Sequence, residues 1–196
     1  AARYNVLPLD GRKVERLNGE MQGRPSLTGT RTSFTYYPGT LAVASGSAPK
    51  ILNKSFSITA DIETGAKPNS GAILSFGGSD GGYGLYVRDG KATFVGNYLN
   101  RVITRVTSPD PLPAGAVKVR GEFAYDGGGI GKGGTLSLFV NDEKVAEGRM
   151  EHTQAMTLGL GGTLDIGADT GSAVDESYTP PFKFDGTIKQ VTLDVK

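Results

Sequence analysis

The stretch Val119–Arg149, VRGEFAYDGGGIGKGGTLSLFVNDEKVAEGR, decides the fold. Val119, Phe123 and Tyr125 alternate with Arg120, Glu122 and Ala124 up to Asp126, and after the glycines Leu136, Leu138 and Val140 alternate again before Asn141–Lys144 reverses the chain. Apolar residues at every second position turn one face of each segment toward a core, so the stretch predicts two successive antiparallel hairpins. In the first of them, Gly127–Gly134 offers little side chain to pack and predicts a wide surface turn at backbone angles that other residues resist.

That turn is the first place to look for chemistry. A phosphate-binding loop needs Gly, four residues, then Gly-Lys-Ser/Thr. Gly131 and Lys132 fit, but Asp126 stands at the first glycine position and Gly133 at the hydroxyl position. Gly129, Gly131 and Gly134 match the dinucleotide spacing G-x-G-x-x-G, which requires a following helix to present its positive end, and TLSLFV reads as a strand. A flexible hairpin loop is the simplest reading. A metal site through Asp126 and loop carbonyls, or a contact with another domain, are the functional ones.

A chain of 196 residues suits one domain spanning residues 1–196, with residues 1–30 an extended or short-helix segment packed on it. Asp10 is the expected cap of that helix, with Val14 and Leu17 on one side. With 21 basic and 20 acidic residues the net charge is +1, too weak a field for nucleic acid or a polyanionic membrane as the main partner. The absence of cysteine excludes disulfides, thiolate metal sites and a cysteine nucleophile, and leaves the compartment open. No apolar run reaches the length of a membrane span and Ala1 opens no signal peptide, so the expectation is a processed or excised piece.

The remaining segments also read as strands and turns. Thr32–Tyr37, broken by Pro38-Gly39, suits an edge strand. In Phe56–Thr64, Phe56, Ile58, Ala60 and Ile62 alternate with Ser57, Thr59, Asp61 and Glu63, giving one core face and one wet face. Asp61 and Glu63 share the wet face as a glycosidase carboxylate pair would, although a solvated face is simpler and the E-x-D-x-x-E pattern of jelly-roll glucanases is missing. Ala72–Phe76 leads into GGSDGG with the single carboxylate Asp80, and Asn53-Lys54-Ser55 spells a glycosylation triplet. His152 is the one histidine, with no Ser-His-Asp arrangement around it. Leu164–Gly171, carrying Asp165 and Asp169, runs from a strand into a tight loop, and Lys183–Val195 forms a terminal strand. The fold class is therefore all-β, an antiparallel β-sandwich, with a jelly roll as the specific architecture.

The Tyr83–Tyr98 segment carries the candidate functional face. Asp89-Gly90 is a favoured type I′ turn, which sets Arg88 opposite Lys91. Leu85, Val87, Ala92 and Phe94 then share one face, and Tyr86, Arg88, Lys91, Thr93, Val95 and Asn97 the other. A strand starting at Arg101 would add Arg101 and Arg105. Tyr86 offers a flat apolar surface to a sugar or partner, and the arginines offer paired donors to sulfate or carboxylate. Any bound metal is expected to be calcium, held at Asp126 or Asp169 by hard oxygen ligands.

The segments NVLPLDGRKVERLN, ITADIE, GLYVRDGKATFVGNYL, PLPAGAVKVRGEFAYDGGGIGKGGTLSLFVNDEKVAEGR, DIGADTG and FDGTIKQVTLDV together resemble the C-terminal region of bacterial arylsulfatases. The resemblance spans nearly the whole chain and implies a concanavalin A-like, laminin G-like sandwich. For catalysis its implication is negative. The family's formylglycine motif C/S-x-P-S-R is only echoed in Gly23-Arg24-Pro25-Ser26-Leu27-Thr28-Gly29, where Gly23 replaces the nucleophile and Leu27 the arginine. The resemblance therefore implies a non-catalytic accessory domain that packs on a sulfatase catalytic domain. A free-standing carbohydrate-binding module with a glycan partner is the alternative, and a glycan-cleaving enzyme ranks last. None of these requires a cofactor.

Overall fold

The computed structural model describes residue 3 and residues 11–12, 17–159 and 162–196. Among the described residues twelve strands follow in chain order, beginning with β1 (Ser33–Tyr36), β2 (Val43–Ala44), β3 (Phe56–Thr64), β4 (Gly71–Gly78), β5 (Gly81–Arg88) and β6 (Lys91–Tyr98). The second half of the chain contributes β7 (Val102–Thr107), β8 (Gly115–Tyr125), β9 (Gly134–Val140), β10 (Glu143–Met150), β11 (Thr163–Ile166) and β12 (Thr187–Val195). They form two six-stranded sheets, ordered β1-β12-β3-β8-β9-β10 and β2-β11-β4-β5-β6-β7, in which every strand pairing is antiparallel. Among the described residues no helix is long and apolar enough to cross a membrane.

The hairpins of Val119–Arg149 are β8–β9 and β9–β10, closing at Tyr125↔Gly134 and Val140↔Glu143. In the wide loop Gly127, Gly128, Gly129 and Gly131 all take positive φ, a region that costs L side chains energy. The inward residues of β3, β8, β9 and β12 meet those of β4, β5, β6 and β11 in one buried cluster. At its centre Phe56 packs edge-on to Tyr83 with ring centroids 4.8 Å apart, and Phe94 and Phe123 complete the aromatic group. Gly121 sits where β8 meets the facing sheet, and a Cβ there would lie 2.7 Å from the Phe94 ring.

β3 alternates buried and wetter positions as its sequence requires, because one face meets solvent. β5 and most of β4 and β6 are buried on both faces. The second cover on their sheet is residues 169–182, a strap with no strand of its own that crosses the outer face and packs Val174, Tyr178 and Phe182 over Ala72, Tyr86 and Val95.

Several local expectations need adjusting. GGSDGG is a tight turn at Ser79-Asp80, since β4 and β5 remain paired down to Gly78↔Gly81. Arg101 precedes β7 in the Leu99–Arg101 turn, where its N–H donates to the Tyr98 carbonyl. In the glycosylation triplet, the Asn53 side chain donates to the Ala155 carbonyl and accepts from Gly131 N–H at 2.7 Å, tying the glycine loop to the body. Of the N-terminal helix, Asp10 and Val14 lie outside the described residues and Leu17 is exposed. Nearby, Asn18 Nδ2 donates to Ala155 O, so this segment touches the end of the sandwich.

Candidate functional site on the outer face of the second sheet

The Asp89-Gly90 turn has positive φ at both residues and pairs Arg88 with Lys91, Tyr86 with Thr93 and Gly82 with Asn97. The predicted register therefore stands, and Tyr86, Arg88, Lys91, Thr93 and Asn97 share the outer face. β7 adds Arg105 opposite Val95 and Thr107 opposite Thr93. Arg101, one residue ahead of the strand, does not join them.

The strap divides this face into a covered and an open part. Tyr86 is 3% exposed and Asn97 1%, so neither is the accessible surface its position on a polar-looking face suggested. The Tyr86 ring lies against Tyr178 and Phe182, and its hydroxyl donates to Asp175 at 2.8 Å. Asn97 donates to the Val174 and Ser79 carbonyls and accepts from Asn100 N–H, anchoring strap and turns together. The open part is a shallow groove of about 440 Å³ lined by Arg88, Asp89, Lys91, Thr93, Arg105, Thr107 and Ser177, with Tyr86 at its floor.

Asp175, fully buried, organises the groove's edge. Arg105 donates to it through Nε at 2.8 Å and Nη2 at 2.7 Å, Ser177 N–H adds a bond at 2.9 Å, and Glu176 approaches Arg105 at 3.6 Å from the solvent side. Burial alone would raise the Asp175 carboxyl, but these hydrogen bonds and the guanidinium charge outweigh it and hold it below the usual carboxylate range. The same pairing raises Arg105. Asp169 behaves oppositely: burial dominates and lifts its carboxyl, although it accepts hydrogen bonds from Tyr178 Oη at 2.6 Å and Val174 N–H at 3.2 Å. Burial, then the Asp169 charge, also raises the Tyr178 phenol. Tyr178 and Phe182 stack at 4.4 Å on the strap, half-buried over Tyr86.

Most of this edge escaped the sequence reading. Asp175, Ser177, Tyr178 and Phe182 lie in a segment without periodicity, and the signal available was the aromatic and acidic content of AVDESYTPPF. The alternative calcium ligands, Asp126 and Asp169, lie in loops of different sheets. Asp126 makes a two-bond pair with Arg149 that lowers its carboxyl, and Asp169 serves the strap. Among the described residues no group of three or more acidic or histidine side chains is arranged to hold a metal. Asp61 accepts from Gln190 and Glu63 lies 4.0 Å from Lys189, so the two carboxylates are held separately on the first sheet. His152 rests against the Tyr98 ring.

No protein-family profile matches the sequence, and no curated protein matches it. Solved structures do. A Ruminococcus gnavus IT-sialidase CBM40 bound to alpha2,3 sialyllactose superposes with a TM-score of 0.57 at 17% identity, over 85% of this chain and 91% of that one. A mutant NanB sialidase from Streptococcus pneumoniae gives 0.55 at 12% identity, over 82% of this chain and 25% of that one. The mouse laminin alpha1 chain domains LG4-5 give 0.50 at 15% identity, over 87% and 40%. The fold is a concanavalin A-like, laminin G-like jelly roll. At such identities the likeness speaks for architecture alone, and nothing in it links the chain to a sulfatase.

Proposed function

We propose that this chain is a non-catalytic carbohydrate-binding module whose ligand lies in the open groove between β6, β7 and the strap. The observation that carries this reading is the groove itself. It has a guanidinium held in place by a buried carboxylate, a lysine, and the hydroxyls of Thr107 and Ser177, over a floor that includes Tyr86 and Thr93. Sugars are recognised by such sets, in which fixed polar groups at a concave surface read hydroxyls. The likeness in architecture to a sialyllactose-bound CBM40 supports it. A binding role also suits the carboxylates, since Asp61, Glu63, Asp126, Asp169 and Asp175 are each engaged structurally and none pairs with another across an open site.

The purified chain should be retained on an array of neutral, sialylated and sulfated glycans, and Thr107→Trp, which fills the groove from an exposed position, should abolish retention. An array that retains nothing, or retention indifferent to Thr107→Trp, refutes the reading. Docking on a sulfatase core rests on the sequence resemblance alone. It becomes an arm of the same experiment, with a separately expressed core as the probe.

A further inference from the structure

We infer that the sugar held in this groove carries an anionic substituent, a carboxylate or a sulfate ester, seated between Lys91 and the open edge of Arg105. The inference rests on the glycan reading above and names its chemical class. Three cations line the groove, and they are not equivalent. Arg88 has its charge partly answered, since Nη1 donates to the Ser177 carbonyl and Nε lies 3.9 Å from the Asp89 carboxylate. Arg105 turns Nε and Nη2 to Asp175, while Nη1 makes no hydrogen bond to the described residues. Lys91 has no ion pair or side-chain hydrogen bond to any described residue, although it projects from the strand next to Arg88.

A planar guanidinium fixed along one edge by a buried carboxylate presents its other edge without further loss of rotamer freedom, which is the arrangement that suits a fork of anionic oxygens. Exposed Thr107 lies between the two cations in the register and shares a hydroxyl-to-hydroxyl bond at 2.9 Å with buried Thr93, so the Thr107 hydroxyl keeps hydrogen-bonding capacity for the same ligand. Glu176 bears on the site in the opposite sense. It is 74% exposed, 3.6 Å from Arg105 Nη2, and a negative ligand must displace or tolerate it.

The test compares lactose, sialyllactose and sulfated lactose as calorimetric titrants of the whole chain, and reads the ratio of acidic to neutral affinity. A charge-assisted pair of this kind predicts a ratio of about ten or more. Lys91→Ala should bring the ratio toward one, and Glu176→Gln should raise it by about threefold through removal of a like charge. Preference for sialyllactose or for sulfated lactose identifies carboxylate or sulfate as the natural group. Equal binding of all three probes, array retention confined to neutral glycans, or a ratio that neither substitution moves overturns the inference and leaves the glycan reading standing. If none of the three binds and the array retains nothing, the glycan reading itself falls.

Discussion

Replacing Asp175 by Asn isolates what holds the strap to the sheet. The carboxylate is fully buried, takes three hydrogen bonds from the Arg105 guanidinium, and accepts further bonds from Tyr86 and Ser177. Asn keeps the shape but sets an NH2 group against the guanidinium donors and leaves the charge of Arg105 unanswered. Removing one member of a fully buried pair costs about 3–5 kcal/mol. The Arg105 side chain is 35% exposed and can turn to water, which reduces the expected cost to about 2 kcal/mol. For a domain of this size each kcal/mol moves the midpoint by about 2–4 °C, so Asp175→Asn should melt roughly 4–8 °C lower. Urea denaturation followed by circular dichroism gives the free energy directly, with thermal melts in parallel. The loss should shrink in acid. The Asp175 carboxyl is depressed, so its contribution is complete above the ordinary carboxylate pKa and disappears as pH falls through the lower native value. A variant as stable as wild type at neutral pH would show that the pair does not secure the strap.

Asp169 should have the opposite pH signature. Its carboxyl is raised, so the native state gains stability as pH falls from neutral through that raised value, and Asp169→Asn should flatten the weakly acidic limb of the stability curve while Asp175→Asn flattens the limb below about pH 4. Gly121→Val should destabilise the fold by about 1–3 kcal/mol in the same denaturation assay, since even a Cβ there falls 2.7 Å from the Phe94 ring. Phe56→Ala should cost about 3–5 kcal/mol, through loss of the ring that joins Tyr83, Phe94 and Phe123. Calcium or a chelator should leave the melting midpoint within about 1 °C, because the oxygens of Asp126 and Asp169 are already committed to Arg149 and to the strap. A saturable rise with calcium would restore those aspartates as ligands.

The sandwich was legible wherever the side-chain period of two met one wet face. β3 and the β8–β10 hairpins follow from alternation, and the β5–β6 register follows to the residue from Asp89-Gly90. Burial on that hairpin's outer face was not legible, because Tyr86, Thr93 and Asn97 read as polar while their cover comes from residues about eighty positions later. The strap itself has no period to detect. It is held by particular long-range bonds, Asp175 to Arg105 and Phe182 O to Ala72 N–H, that no local pattern announces. Arg101 and Arg105 show how narrow the margin was. Starting the strand one residue late leaves Arg101 in the turn and keeps Arg105 on the functional face.

The most direct test of the binding site is a titration of sialyllactose and sulfated lactose into the isotopically labelled chain, followed through backbone amide shifts. The groove predicts saturable changes confined to Lys91–Thr93, Arg105–Thr107 and Ser177, with the inner core unmoved. Shifts centred on the Tyr98–Arg101 turn and His152, or on the glycine loop Gly127–Gly134, would place the ligand elsewhere and contradict the account.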